Sequence, residues 1–328
     1  MAKHSYVGKR VTVMGLGRFG GGVGVTRWLA EAGALVTVSD KASSESLAQS
    51  VAAVSDLGVT LHLGDHHQAD FRDADLLVVS PAIPKDHPML AVARDAGVPV
   101  TSEMNLFLRY CPARIIGVTG TAGKSTTTAM IHAALGAAAG DARVWIGGNI
   151  GISLLEDLDA IAANDWVVLE LSSFQLEDLA DLKRSPEIAV ITSLFPNHLD
   201  RHGTMAAYTD AKLNIARFQN PGDHLLIADG DQCLADAVAA LRGSLADVWL
   251  YRAAADGLSL TCGGRRVDLP VPDLQVPGAH NRANAAAALG VARLCNVDLD
   301  QALGRLAAFQ GLPHRLRLDG VLGDIRLY

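Results

Sequence analysis

The sequence has few cysteines, no long apolar run and no excess of positive charge. Its four cysteines lie far apart and form no Cys-x-x-Cys pair, so we expect buried thiols in a reducing compartment rather than a disulfide framework or a thiolate zinc site. No stretch reaches the roughly 18 apolar residues of a membrane span, and the first residues lack the apolar core of a signal peptide. We therefore predict a cytoplasmic protein that does not contact membranes.

The balance of charge and composition narrows the classes of partner. A formal net charge of −7 argues against nucleic acid as the main partner, so any bound anion needs a local site. With 49% hydrophobic and 19% charged residues, the composition is that of a globular protein and excludes disorder over most of the chain.

The pattern along the chain predicts an α/β fold. Short β-rich runs alternate with longer helical stretches, as in parallel sheets covered by helices, and the 328 residues suffice for two or three domains. The predicted strands are 10–14, 35–39, 76–80, 115–119, 166–169, 188–192 and 224–228, and the predicted helices are 22–32, 124–138, 208–218 and 281–295.

Two units of strand, glycine loop and helix set the domain organisation. Each looks like the first βα unit of its own sheet, which predicts one domain over 1–112 and a second over 113–312. Near the carboxyl end, alternating apolar residues flank Asp319-Gly320 and predict a hairpin turn there. Residues 313–328 either begin a further domain or pack onto the second domain as its last element.

The strongest motif follows the predicted strand 115–119. Glycines let backbone N–H groups turn toward a phosphate chain, a helix N-terminus adds positive potential, lysine neutralises phosphate oxygens, and serine can ligate Mg²⁺. The ordinary phosphate-loop pattern needs glycine where Val118 stands, so this loop is a variant, and a chance glycine-rich turn is the alternative. The motif consists of Gly117, Gly120, Gly123, Lys124 and Ser125.

A second glycine loop lies near the start of the chain. Gly15, Gly17 and Gly20 follow the first predicted strand, and Asp40 ends the next one. Taken alone, this spacing predicts NAD binding. The same geometry serves any nucleotide diphosphate, and a tight turn that caps a helix is the alternative without a ligand.

Further polar residues follow the central strands. Glu170 ends an apolar strand, where a carboxylate could hold a nucleotide-bound Mg²⁺ or remain a solvated charge. His198 and His202 could share one helix face. Leu199 occupies the position where a zinc protease needs glutamate, so protease chemistry is rejected.

Seven segments in order resemble the Mur ligase family of peptidoglycan synthesis. The segments are GVTGTAGKST, GGNIG, LELSSFQL, NHLDRH, AKLNIARF, PGAHNRAN and GLPHR. The resemblance implies a Rossmann-like UDP-binding domain, then a P-loop-type ATP-binding α/β domain with a mainly parallel sheet. It also implies a third, Rossmann-like domain that brings the amino acid and that is missing or only begun here.

The resemblance implies an ATP and metal site in the central domain. Lys124, His198 and Lys212 would be catalytic, with Lys212 converted to a carbamate that supplies oxygen ligands. From the residues alone, Lys212 is better interpreted as a solvated helix residue. The Mg²⁺ ligands would be Ser125, Glu170, His198 and Lys212. ATP would contact Gly120, Thr121, Gly123, Lys124, Ser125, Thr126, Asn281, Asn284, His314 and Arg315.

The resemblance also reassigns the first glycine loop from NAD to a UDP substrate. Ala122 and Ala82 depart from the family pattern, in which asparagine and glycine are common at these two positions. The substrate contacts would be Gly15, Gly17, Arg18, Phe19, Gly20, Asp40, Lys41, Ser80, Asn149, Ser172, Ser173 and Gln175.

The implied activity is ATP-dependent amide synthesis through an acyl phosphate. The expected substrates are UDP-N-acetylmuramoyl-L-alanine and D-glutamate, bound by a monomer that needs no nucleic acid or membrane partner. Without a complete third domain, we expect this stretch to bind both nucleotides but not to complete turnover. The alternatives are another Mur or folylpolyglutamate-type ligase, and a non-catalytic module that binds nucleotides or UDP-sugars.

Overall fold

The computed structural model describes residues 3–18, 20–136, 142–150, 153–241, 246–254, 257–312, 320–322 and 325–327. The chain divides into two compact units, Met1–Pro112 with Gly147–Ile161 and Ala113–Ile146 with Ala162–Tyr328. The sequence-based division also falls after residue 112, but it leaves 147–161 in the second domain. Phe19, His314 and Arg315 lie outside the described residues. In the described part of the chain, each helix is too short or too polar to cross a bilayer.

The first unit is built on a parallel sheet. Its strands are β1 Arg10–Met14, β2 Leu35–Asp40, β3 Thr60–Leu63, β4 Leu76–Val79 and β5 Val100–Thr101, and its helices are α1 Gly21–Glu31, α2 Ala48–Ala52, α3 Gln68–Arg72, α4 Pro88–Asp95 and α5 Glu103–Tyr110, after a short 3-10 helix at Lys3–Tyr6. The strand order is β3-β2-β1-β4-β5, parallel throughout. Because all five strands run the same way, their carboxyl ends share one edge.

The second unit contains a larger, mixed sheet. Its strands are β6 Arg114–Thr119, β7 Val144–Gly148, β8 Trp166–Glu170, β9 Ile188–Ile191, β10 His224–Ala228, β11 Asp247–Ala254, β12 Gly257–Cys262 and β13 Arg265–Leu269. The order is β13-β12-β11-β10-β9-β6-β8-β7. Strands β8, β6, β9, β10 and β11 pair in parallel, whereas β12 and β13 extend the sheet in antiparallel fashion.

Helices cover the central strands of this sheet. They are α6 Lys124–Leu135, α7 Ser173–Leu182, α8 Leu199–His202, α9 Met205–Arg217, α10 Gln232–Ala240, α11 Ala279–Leu294 and α12 Leu299–Ala307. A run of alanines, Ala285 to Ala288, is fully buried in α11 within the same core cluster as Met130 and Ile131 of α6. Such small side chains let two helix backbones approach closely, which packs α6 against α11.

The structure confirms the α/β fold and, within a few residues, the predicted strands and helices. The sequence analysis did not predict the strands β3, β5, β7 and β11–β13, which are short or partly exposed and so lack a continuous apolar pattern. It also did not predict the helices α2–α5, α7, α8, α10 and α12. The predicted hairpin turn at Asp319-Gly320 is wrong. Gly320 lies inside β14 Gly320–Leu322, which pairs antiparallel with β15 Ile325–Leu327, so this residue belongs to a strand and not to a turn. Asp319 lies outside the described residues.

The cysteine prediction needs one correction. All four cysteines are free, but only Cys111 is buried and Cys233 is exposed. Exposing a small apolar side chain such as cysteine costs little free energy, so the position of each cysteine in the sequence did not decide whether it is buried.

Candidate active site

The phosphate loop of the second unit has a backbone that requires glycine. Strand β6 ends at Thr119 and helix α6 begins at Lys124. Gly120 and Gly123 have φ values of 147° and 84°. A Cβ atom on Gly120 would lie 2.0 Å from Thr192 Oγ1, so any side chain there would force the loop off the neighbouring strand.

The loop is held in place by the end of strand β9. The Thr121 amide donates to the Ser193 carbonyl at 2.9 Å, and the Ala122 amide donates to Ser193 Oγ at 3.0 Å. Thr192 Oγ1 donates in turn to the Ala122 carbonyl. Residue 122 is therefore held through its backbone, and the departure from the family pattern at that position leaves the loop docked.

Lys212 lies inside this site. It is 2% exposed, its Nζ donates to the Gly120 carbonyl at 2.9 Å and to Thr119 Oγ1 at 3.3 Å, and it lies over the Tyr208 ring. Burial, reinforced by the charge of Lys124, lowers the pKa of Lys212 to about 7. The interpretation of Lys212 as a solvated helix residue is therefore wrong.

Two further members of the expected metal set are buried in the second unit. Glu170 is 2% exposed at the carboxyl end of β8, and Ser125 in the first turn of α6 is 8% exposed. The negative charge of Glu170 raises the pKa of Lys212 and so opposes the effect of burial. The alternative of a solvated charge at Glu170 is excluded. Lys124 reaches back over the loop and donates to the Thr121 carbonyl at 3.1 Å.

The two histidines of the next loop have different surroundings. His198 is exposed, has φ of 51° and lies with its ring centroid 5.2 Å from that of Phe174. The His202 side chain is fully buried, with Nδ1 2.9 Å from Glu177 Oε1 and Nε2 3.0 Å from Ser173 Oγ. Burial lowers the pKa of His202. Sequence reasoning assigned His202 no role.

The asparagine pair of helix α11 lies against the phosphate loop. Asn284 Nδ2 donates to Asn281 Oδ1 at 3.2 Å, and Asn284 Oδ1 accepts from Thr127 Oγ1 at 3.1 Å. Asn284 Oδ1 is also the atom that a Cβ on Gly123 would meet, at 3.0 Å. The pair thus joins α11 to the first turns of α6, where Thr126 is half-buried. Sequence reasoning missed Thr127 because its partner is remote in the chain.

The start of helix α7 carries the expected substrate residues. Ser172 and Gln175 form a reciprocal cap, in which the Ser172 amide donates to Gln175 Oε1 at 2.9 Å and the Gln175 amide donates to Ser172 Oγ at 3.2 Å. Ser173 is buried against His202. These contacts give each residue a structural role within the second unit.

The first glycine loop forms a separate site in the first unit. Asp40 accepts from the Gly17 amide at 3.2 Å and from the Ala42 amide at 2.8 Å, so its carboxylate already holds the loop. Arg18 and Lys41 are exposed beside it. Gly15, Gly17 and Gly20 all have positive φ. A Cβ on Gly15 would lie 2.9 Å from the Cβ of Ser80. Asn149 is exposed.

Comparison with known proteins identifies two family domains in the chain. The model of the Mur ligase middle domain matches residues 118–292, and that of the Mur ligase MurD-like N-terminal domain matches residues 9–102. The chain belongs to the Mur ligase family. The two matches correspond to the two glycine loops, one in each unit.

Curated Mur ligases resemble the chain over nearly its whole length. The UDP-N-acetylmuramoylalanine--D-glutamate ligase of Roseiflexus sp. (strain RS-1) is 42% identical over 97% of this chain and 72% of that protein. The ligase of the same name from Koribacter versatilis is 36% identical over 98% of this chain and 71% of that protein.

Solved Mur ligases share the fold. The UDP-N-acetylmuramate:L-alanyl-gamma-D-glutamyl-meso-diaminopimelate ligase from Neisseria meningitides aligns with a TM-score of 0.64 and 21% identity, over 93% of this chain and 99% of that structure. At this identity the likeness concerns the arrangement of strands and helices alone.

Proposed function

We propose that this Mur ligase chain binds ATP and UDP-N-acetylmuramoyl-L-alanine and activates the substrate carboxylate as an acyl phosphate, within the ligase reaction that joins this carboxylate to D-glutamate. The observation that carries the proposal is the docking of the phosphate loop over a buried pair of charges, Lys212 and Glu170, each 2% exposed. Relatives at 42% and 36% identity that carry the ligase name support the choice of substrates.

The donor set of the second unit fits Mg²⁺. Ser125 offers a hydroxyl and Glu170 a carboxylate, both buried, and oxygen donors are what this cation prefers. Lys212 as an amine offers none, but its carbamate would place a second anion near Glu170, and two buried anions need a cation. His198 would complete the set. When bound, the metal supplies positive charge to the phosphate oxygens.

The chain's own residues would bind and orient the triphosphate. The first amides of helix α6 have no acceptor within the helix and point out of its N-terminus, where the dipole favours anions. Lys124 adds a full positive charge. Together these groups lower the repulsion between the substrate carboxylate and the γ-phosphoryl group, which is the main obstacle to forming an acyl phosphate.

Asn281 and Asn284 would meet the adenine. Both amides are buried, at 4% and 8% exposure, and their mutual hydrogen bond fixes their orientation. A fixed amide can offer a donor and an acceptor to a base edge. In the first unit, the loop held by Asp40 would bind the diphosphate of the UDP substrate, with Arg18 and Lys41 supplying charge.

Trapping of the activated carboxylate tests the proposal. The chain is incubated with ATP, Mg²⁺, hydroxylamine and one acceptor, and the hydroxamate formed from an acyl phosphate is measured. We expect hydroxamate with UDP-N-acetylmuramoyl-L-alanine and its loss in Lys124→Ala. A preference for a UDP-muramoyl peptide or a folate would point to another ligase of the class, and binding of both nucleotides without hydroxamate would point to a non-catalytic module.

A second arm adds radiolabelled D-glutamate and measures label in the UDP-containing product. The expectation that this stretch binds both nucleotides without completing amide formation stays a prediction, and this arm tests it. Carboxylate activation is measured separately by the hydroxamate, so a loss of amide formation alone can be distinguished from a loss of activation.

A further inference from the structure

A cluster of two histidines and one aspartate lies where strand β3 passes into helix α3 in the first unit. One side-chain donor atom each from His62, His67 and Asp70 lies within 4.8 Å of the other two. The imidazole Nδ1 of His62 is 2.6 Å from Asp70 Oδ2, and the ring centroids of His62 and His67 are 4.3 Å apart. All three residues come from one short segment, so the cluster forms without help from the second unit.

The backbone fixes two of the three residues. His62 lies in β3 opposite Ser39 of the neighbouring strand. The Asp70 carbonyl accepts from Thr12 Oγ1 of β1 at 2.6 Å, and the Asp70 amide donates to the His67 carbonyl at 3.0 Å. The Asp70 side chain is 11% exposed, so its carboxylate is held in one place and largely removed from water.

Helix structure does not account for His67. This residue is the N-cap of α3, yet its side chain makes no capping hydrogen bond. It is exposed, and its described contact is the ring of His62. The core residue of the segment is Phe71, which is fully buried. A serine or aspartate would cap this helix better, so the imidazole is better explained by a ligand.

We infer that His62, His67 and Asp70 form a binding site for a divalent transition metal, with Zn²⁺ as the best match. Two imidazole nitrogens and one carboxylate oxygen are a common three-residue set for this ion, with water at the fourth position. Imidazole ligands favour Zn²⁺ over Mg²⁺, which prefers oxygen. The cation would replace the hydrogen bond between His62 Nδ1 and Asp70 Oδ2, with release of the hydrogen-bonding proton to water. Rotation of the exposed His67 ring would complete the ligand set.

The site is distinct from the proposed ATP and Mg²⁺ site. It lies in the first unit, whereas Ser125, Glu170 and Lys212 lie in the second. A bound ion would tie the end of β3 to α3, because its ligands come from both elements. Zinc binding should therefore stabilise the first unit against unfolding.

Titration of the untagged, chelator-treated chain with ZnCl₂ in excess MgCl₂ tests the inference. We expect one Zn²⁺ equivalent by calorimetry, and absorption bands of tetrahedral Co²⁺ when CoCl₂ replaces ZnCl₂. His67→Ala and Asp70→Asn should each weaken Zn²⁺ binding about tenfold or more. His67 is exposed, so its variant is expected to fold, and a melting curve without metal checks this.

Two controls separate this site from other binding. His87→Asn removes a histidine of the same unit, and because the His87 ring accepts from the Met89 amide at an N-cap, asparagine preserves the cap. Glu170→Gln alters the second unit alone. Both should retain the Zn²⁺ equivalent. The inference is overturned if the chain takes up no Zn²⁺ in excess Mg²⁺, or if His67→Ala and Asp70→Asn bind it as tightly as the parent chain.

Discussion

The imidazole Nε2 of His202 lies 3.0 Å from the hydroxyl oxygen of Ser173. On its other side, His202 Nδ1 approaches Glu177, and the ring stacks on Phe174 with an interplanar angle of 9°. Ser173 and Glu177 belong to α7 and His202 to α8, so one buried side chain joins the two helices. Since α8 begins just after His198, this contact fixes the loop that carries an expected metal ligand.

Ser173→Ala should destabilise the second unit. The change leaves a buried imidazole nitrogen without its hydroxyl partner, which costs about 1–3 kcal/mol. Urea unfolding followed by tryptophan fluorescence measures the difference. Hydroxamate formation should fall in parallel, because the His198 loop loses an anchor. An unchanged urea midpoint would show that the contact contributes nothing to stability.

Gly120→Ala should abolish ATP binding, because the new Cβ would meet Thr192 Oγ1 at 2.0 Å and φ is 147°. The loop cannot keep its position over Lys212 with that side chain present. Calorimetry with a non-hydrolysable ATP analogue measures the loss.

Gly304→Ala is the matched control for the glycine change. Gly304 is exposed within α12, and a Cβ there meets no atom within 4 Å. Alanine should stabilise this helix by about 0.5–1 kcal/mol and leave ATP binding unchanged. Equal effects of the two substitutions on ATP binding would contradict the role given to Gly120.

Lys212→Met should abolish hydroxamate formation while the melting temperature stays level or rises. The lysine amine is buried and its pKa is lowered to about 7, so at pH 8 it is largely uncharged and an apolar chain of similar length removes little charge from the interior. Calorimetric melting and the hydroxylamine assay supply the two readouts. Lys183→Met, at an exposed lysine of the same unit, should change neither. A large drop in melting temperature for Lys212→Met would mean that the lysine is needed for the stability of the fold.

Glu103→Gln should make the stability of the first unit less dependent on pH. Ser153 Oγ donates to Glu103 Oε1 at 2.7 Å, and burial raises the pKa of Glu103 from 4.5 to about 7. Between these values the folded chain retains a proton that the unfolded chain has lost. Stability therefore falls as pH rises through this window, and the full penalty is present above about pH 7.

The glutamine variant should consequently be more stable than the parent by about 1–3 kcal/mol at pH 8 and equal to it near pH 4. Urea titrations at a series of pH values measure the difference. Glu31→Gln, at an exposed position, serves as the control. If the free energy of unfolding of the parent and of Glu103→Gln varied with pH in parallel, the buried Glu103 carboxyl would be excluded as the source of the pH dependence.

Much of the fold could be predicted because its central strands are continuous apolar runs. β6 and β8 are almost entirely buried, and their sequences show it directly. β11 has a mixed pattern with an exposed Val248, so its place in the sheet depends on pairing with β10 and β12. The local pattern does not encode that pairing.

In the candidate site, too, some features could be predicted from the sequence and others could not. The glycine loops are visible in the sequence because positive φ is a local demand. The docking of one loop on Thr192 and Ser193 was missed. Thr192 ends a predicted strand and Ser193 follows it, so this contact could have been found from the parallel sheet edge. The partners of His202 could not be predicted from the sequence, because Ser173 and Glu177 belong to a separate helix.

By itself, the sequence determined the alternation of strands and helices, the two phosphate-type loops and the family to which the chain belongs, since these follow from local conformation and residue order. Only the tertiary structure decided that Lys212 and Glu170 are buried, that Asp40 holds its own loop, and that two histidines and an aspartate meet beside β3. Burial and side-chain proximity depend on which distant elements pack together, and that is a property of the folded chain.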